Sequence, residues 1–293
     1  MFFINFILFK LKFSKKEFIF NPLKYLLIFI IFLNIYIFYK LDIDKFDQLL
    51  NLLIYFGVLN FFSEYKYKNR SNLNILSIFS SILLLVIVLY RSFWLHSGDN
   101  FVYFLFPIFY MSLVILYFPM KNVIKNYKPI LISFLLPITK SLFIPLSIIF
   151  SPLSSFFTWI LLNALGFFST VKGQQIFYND SGINVTFSCS GVGQILFSLS
   201  AMIILNFCFP LRNLRIFIFQ LILAFLFTFA ANIIRLSLLA LFVHTENLDG
   251  FSMFDYLHGG SGGLIFAFLS MTLSCESYKR LYLRTDISNE INY

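Results

Sequence analysis

Three residues of a strongly apolar chain carry groups that fit one kind of chemistry. Cys189 stands in the polar segment Ser188-Cys189-Ser190-Gly191, just ahead of a membrane-length apolar run. Arg235 lies late in a second such run, and His258 immediately precedes a third. A thiol attacks a carbonyl as its thiolate, a form that a nearby cation or imidazolium favours. An imidazole moves protons near neutral pH, first from the thiol and then to a departing amine. An arginine cannot act as a base, but its fixed positive fork suits an oxyanion or positions a carbonyl. Each residue also has a bland reading. A cysteine is often a small buried hydrophobe, an arginine one half of an ion pair or a snorkelling side chain, and a histidine an interfacial cap.

Long helices must hold these groups. The 293-residue chain is 59% hydrophobic and only 12% charged, too little polar surface to cover a soluble core of this size. The expected fold class is an all-α polytopic integral membrane protein with about eight transmembrane helices, an outer-face interfacial helix and a small hairpin. The spans are read at roughly 22–39, 48–62, 72–90, 101–120, 129–150, 192–209, 216–243 and 259–275. No small-residue cleavage site follows the first, so it reads as a retained signal-anchor. Pro129, Pro137 and Pro145 should bend the fifth span. Lys140 within it either faces the bundle interior or snorkels to a boundary. The expected organisation is a four-helix membrane region over 1–128, a catalytic membrane core over 129–278 and a short cytoplasmic tail over 279–293.

The net charge of +9 is read as topology, not as nucleic-acid binding, because the basic residues cluster between apolar runs. Most of the 22 lysines and arginines fall on one side: Lys10, Lys12, Lys15, Lys16, Lys24, Lys66, Lys68, Arg70, Lys121, Lys125, Lys128, Arg212, Arg215, Lys279, Arg280 and Arg284. Lys40, Lys45, Arg91 and Lys172 fall on the other. Both termini are therefore expected in the cytoplasm of a plasma-membrane protein. The stretch 151–170 would reverse every later loop if it spanned, and is read as an interfacial or re-entrant helix anchored by Trp159. Beyond it, Gln175-Ile176-Phe177-Tyr178 and Ile183-Asn184-Val185-Thr186-Phe187 flank Asn179-Asp180-Ser181-Gly182, the pattern of a hairpin over the outer opening. Three cysteines are too few and too scattered for a disulfide scaffold. No zinc-ligand spacing, phosphate loop or dinucleotide fingerprint occurs, so no cofactor or metal is expected.

Parity brings the reactive groups to one boundary. Cys189 opens the sixth span from outside, where a helix N-terminus would favour its anion. Arg235 lies 19 residues beyond Ile216, a rise of about 28 Å that crosses the hydrocarbon core. His258 again falls outside. Cys208 and Cys275 read as apolar filling, and His96 and His244 as outer-loop residues, His244 being the rival base. Gly191 and Gly193 after the thiol, and Gly259, Gly260, Gly262 and Gly263 after the imidazole, either open a slot for an extended peptide or simply let helices pack. Asn232, three residues before Arg235, can orient the guanidinium or touch substrate. Asp255 and Glu246 can orient His258 or meet a basic substrate element.

The ordered set Cys189-Ser190-Gly191, Ala231-Asn232-Ile233-Ile234-Arg235 and His258 with Gly262 resembles the exosortase/archaeosortase family, and within it the cyanobacterial exosortases. The likeness covers about residues 130 to 275. Two departures are Ser188, where an alanine is common, and an unusually dense glycine run after His258. The resemblance implies a membrane-embedded cysteine protease/transpeptidase with Cys189, Arg235 and His258 as its catalytic residues and Asn232, Gly191 and Gly262 in support. It implies as partners exported proteins carrying a C-terminal sorting signal: a Pro-Glu-Pro-type motif, a transmembrane helix and a basic cluster. The acceptor of the cleaved chain, an amine, another nucleophile or water, stays open. Two other readings remain: a permease in which Lys140 and Arg235 bind an anionic solute, and a non-catalytic subunit of an export complex.

Overall fold

The computed structural model describes residues 22–64, 75–96, 98–117, 127–178, 181–211, 213–243, 253–258 and 260–290. They are mainly helical and fall into two compact units, residues 1–43 with 58–134, and residues 44–57 with 135–293. Among the described residues, three helices are long and apolar enough to cross a membrane: Ile75–Phe93, Leu135–Ala164 and Leu214–Phe242. Tyr25–Lys40, Asn100–Leu116 and Val192–Cys208 are shorter apolar helices. Large hydrophobic side chains such as Phe79, Ile148, Ile222 and Phe268 stay exposed, as suits helices solvated by lipid.

The first unit contains α1 (Pro22–Lys40), the end of α2 (Lys45–Glu64), α3 (Ile75–Phe93), α4 (Leu105–Tyr117) and α5 (Tyr127–Ser133). Helix α4 packs on α1, α3 and α5. Ser81 Oγ donates to Ser112 O at 2.8 Å, satisfying a polar group between two greasy helices. His96 is exposed in the turn before α4, in this unit.

The second unit contains the start of α2, then α6 (Leu135–Ala164), α7 (Val192–Cys208), α8 (Leu214–Phe242), a short α9 (Met253–His258) and α10 (Gly260–Glu290). Helix α8 is central, packing against α6, α7, α9 and α10. Asn213 caps it, its side chain accepting from Arg215 N at 2.9 Å.

Helix α6 corrects one expectation. The fifth span and the separate helix at 151–170 are one continuous 30-residue helix that passes through Pro145 and Pro152. Proline deletes the main-chain donor to the carbonyl four residues earlier, yet the helix continues through both positions, and hydroxyl side chains of the same stretch bond back to carbonyls one turn earlier. Ser151 Oγ donates to Ser147 O at 2.8 Å, Ser155 Oγ to Ser151 O at 3.0 Å and Thr158 Oγ1 to Ser154 O at 2.7 Å. The proline break falls earlier, between Ser133 and Leu135, so that Pro137 sits in the first turn of α6, where no donor is required. The helix ends when Gly166, at φ +86°, turns the chain and Phe167 N donates to Leu162 O at 2.9 Å.

The expected hairpin is present as the pairing of the second and third strands of a three-stranded antiparallel sheet, to which an earlier strand is added. The strands are β1 (Ser169–Lys172), β2 (Gln175–Tyr178) and β3 (Ser181–Asn184), in the order β1-β2-β3. Thr170 pairs with Phe177, and Ile176 with Ile183. Residues 179 and 180 of the expected turn lie outside the described residues. Trp159 Nε1 donates to Ser169 O at 3.0 Å and Ser169 N donates to Asn163 Oδ1 at 3.2 Å, clamping β1 to the end of α6. Alternation turns Ile176 and Ile183 inward, onto Leu162, Leu236 and Leu239.

Candidate active site

Cys189 sits on a tight turn between β3 and α7. Its N–H donates to Thr186 O at 3.0 Å, and Ser190 Oγ donates to Phe187 O at 2.6 Å. Two helices grip the turn from either side. Ser154 Oγ of α6 donates to Ser190 O at 2.9 Å, and Asn232 Nδ2 of α8 donates to Cys189 O at 3.3 Å. Gly191 follows at φ +83°, and a Cβ there would stand 2.5 Å from Asn232 Nδ2, so only glycine fits. Helix α7 begins at Val192, the expected first residue of the sixth span. Cys189 therefore precedes the helix rather than opening it.

The imidazole comes from the last residue of α9. The His258 ring stacks on Phe254, one turn earlier, with centroids 5.4 Å apart and planes 10° apart. That fixes the ring so that Nδ1 lies 3.7 Å from Cys189 Sγ. The thiol is buried at 4% exposure, whereas the imidazole is exposed. Gly262 of α10 lets this short helix lie close. A Cβ at that position would come within 2.5 Å of Leu257 Cα and Tyr256 O.

Arg235 of α8 is 5% exposed and reaches the same short helix. Its Nε donates to Leu257 O at 3.0 Å and its Nη2 to His258 O at 3.4 Å. It thereby bonds carbonyls at the open C-terminus of α9, where a cation is favoured. The guanidinium is also within electrostatic reach of Cys189. Asn232, one turn before it, holds the thiol's carbonyl rather than the guanidinium. Its Oδ1 is buried and has no hydrogen-bond partner among the described residues.

The structure thus gathers Cys189, Arg235, His258, Asn232, Gly191 and Gly262 at one end of the second unit. Gly193 makes an ordinary contact, 3.6 Å from a built Cβ to Phe143. Asp255 stands on α9, three residues before His258. His244, Glu246 and Gly259 lie outside the described residues. Cys208 closes α7 and Cys275 lies well along α10, both partly buried. Lys140 forms an ion pair with Asp47 of α2 and lies 5.8 Å from the Phe143 ring centroid.

Sequence reasoning missed several supports. Gln194 of α7 donates through Nε2 to Gly263 O at 3.1 Å, tying α7 to α10 beside Arg235. A glutamine at the third position of an apolar run was the available signal, because a buried amide needs partners. Phe254 was visible as an aromatic residue at i−4 of His258. A cavity of about 120 Å³ opens over the thiol. Gly182, Ile183 and Asn184 of β3 form one wall, Leu236 and Leu239 of α8 another, and Phe254 and His258 a third. A carbonyl carbon entering it would meet a nucleophile, a proton carrier and a nearby cation, a set competent for acyl transfer.

A family model described as Transmembrane exosortase (Exosortase_EpsH) matches residues 44–275, most of the chain. No curated protein and no solved structure matches it.

Proposed function

The chain belongs to the transmembrane exosortase family, and from that premise we propose that Cys189 is the nucleophile of a cysteine transpeptidase acting on exported proteins. The substrates carry a C-terminal sorting signal made of a Pro-Glu-Pro-type motif, a transmembrane helix and a basic cluster. The observation that carries this reading is the 3.7 Å approach of Cys189 Sγ to His258 Nδ1 within an open cavity.

His258 takes the thiol proton, and the sulfur attacks the peptide carbonyl carbon beside the sorting motif. The carbonyl π electrons move onto oxygen, and the positive charge of Arg235 favours that oxyanion. As the oxyanion collapses, the C–N bond breaks and His258 returns the proton to the departing amine. The product is a thioester between Cys189 and the exported protein. An acceptor amine, another nucleophile or water then attacks this thioester and restores the thiol. Arg235 serves a second purpose by holding the two carbonyls of α9, which keeps the imidazole at the sulfur. About eight spans with both termini in the cytoplasm place this chemistry at the extracytoplasmic face of the plasma membrane.

Cys189→Ala removes the nucleophile but fills the same small buried space. Immunoblots of a reporter carrying the tripartite tail should show processing reduced by about 10³-fold or more, with the variant still in the membrane. Processing at the wild-type rate in that variant removes Cys189 from the mechanism.

A further inference from the structure

The wall of the cavity formed by β3 is the edge of a sheet, and its main chain points the right way to hold a peptide. Among the described residues only β2 pairs with β3, and the other side of β3 carries no described strand. The register fixes which groups face that side. Val185 N donates to Gln174 O at 2.9 Å, and hydrogen-bonded pairs alternate along an antiparallel ladder. The pairs Ile183–Ile176 and Ser181–Tyr178 therefore bond to each other. Gly182 and Asn184 turn their N–H and C=O groups outward. Asn184 O is used by Thr186 N at 3.0 Å. That leaves Gly182 N–H, Gly182 C=O and Asn184 N–H, and Gly182 and Asn184 both line the cavity containing Cys189 and His258.

We propose that the extended segment of the exported protein just ahead of the cleaved bond binds as a fourth strand along β3. Its main chain bonds to Gly182 and Asn184, and its carbonyl is thereby delivered to Cys189 Sγ. This rests on the proposed transpeptidase activity and adds how that site grips its substrate. Strand addition draws affinity from main-chain hydrogen bonds and selectivity from alternate side chains. In the added strand, side chains on the face shared with Ile183 drop toward Leu236 and Leu239. Those positions take apolar side chains that fit about 120 Å³. Residues between them point out to water and tolerate charge. Glycine at 182 also suits the pairing with β2, because a Cβ there would stand 2.9 Å from the Phe177 ring on that strand.

The test separates grip from chemistry by measuring binding to the full-length Cys189→Ala protein in lipid nanodiscs. The probes are synthetic peptides spanning the reporter's sorting motif and its flanks, N-methylated at one non-proline residue at a time. Alternate residues should lose about tenfold in affinity and the residues between them little, because only every second N–H faces β3. Asn184→Pro, which deletes one outward N–H and breaks no β2–β3 bond, should weaken the unmethylated peptide about as much. In the Cys189-containing protein, the Asn184→Pro change should raise KM while iodoacetamide still alkylates Cys189 at the wild-type rate. Equal loss at every methylated position, no loss at any, or unchanged binding by Asn184→Pro overturns strand addition. A reporter processed by Cys189→Ala sinks the enzymatic reading instead, whatever the peptide scan shows.

Discussion

Arg235 holds two carbonyls of α9 and also stands near the thiol, so its charge and its geometry can be separated by substitution. Arg235→Lys keeps a cation, but a point charge on a flexible stem cannot bond Leu257 O and His258 O together as the planar fork does. With its last carbonyls loose, α9 no longer holds the imidazole at the sulfur. Arg235→Lys should therefore lose about 100-fold in kcat, a typical size for one lost proton-transfer contact. A merely structural role would not change the chemistry of the thiol. The pH profile of Cys189 alkylation distinguishes the cases, because the variant should match His258→Ala rather than wild type. Near-native turnover with an unchanged profile would mean that charge alone suffices. Asn232 and Gly191 act differently, since they fix the turn that carries the thiol and touch neither the imidazole nor its helix.

The pairing of α2 with α6 through Asp47 and Lys140 is the least expected contact between elements. Both charges lie beside apolar helices where an unpaired ion is costly, so loss of one partner strands the other. Lys140→Met alone should lower stability by about 2 kcal/mol, and Asp47→Leu with Lys140→Met should recover most of it. Thermal unfolding in detergent measures both; equal loss in single and double variants would show that the pair contributes no coupling. Lys140 stood out in the sequence because a charge inside a span needs a reason, but the partner that supplied it did not. Asp47 lies 93 positions earlier, at the start of a helix read as beginning one residue later. The same logic explains which parts of the site were legible. Cys189, Arg235 and His258 are polar groups at the ends of apolar runs, and depth follows from counting residues. The course of α6 did not follow, because a proline in an apolar run reads as a bend or an end, whereas this helix continues through Pro152. Strand β1 hid among the aromatics after Gly166, where hydrophobicity alone does not distinguish helix from strand. Helix α9 is only six residues long and draws its stability from Arg235 and the groove at Gly262, neither local in sequence.

Within the second unit, polarity is divided along the bundle. The ends of α6, α8 and α9 and the starts of α7 and α10 meet around Cys189. At the far end, Gln220 Nε2 donates to Ser274 O at 2.7 Å and Tyr278 Oη to Phe209 O at 2.6 Å, closing α7, α8 and α10 against one another. Arg215, Lys279 and Arg280 belong to that far end. Along α8, Arg215 and Arg235 are separated by about 30 Å of rise, the thickness of a hydrocarbon core. Basic residues are retained on the cytoplasmic side, so the proposed orientation has the thiol and the sheet outside. The exposed positions Lys172 in β1 and Arg280 in α10 report the two sides without disturbing the site. In a chain lacking Cys189, Cys208 and Cys275, Lys172→Cys should react with a membrane-impermeant maleimide on intact cells. Arg280→Cys should react only after the membrane is permeabilised. The reverse pattern would put the sheet in the cytoplasm, where a protein already exported cannot reach it. Labelling of both from outside would mean that α10 does not return its end to the interior, and the charge-based orientation would fail with it.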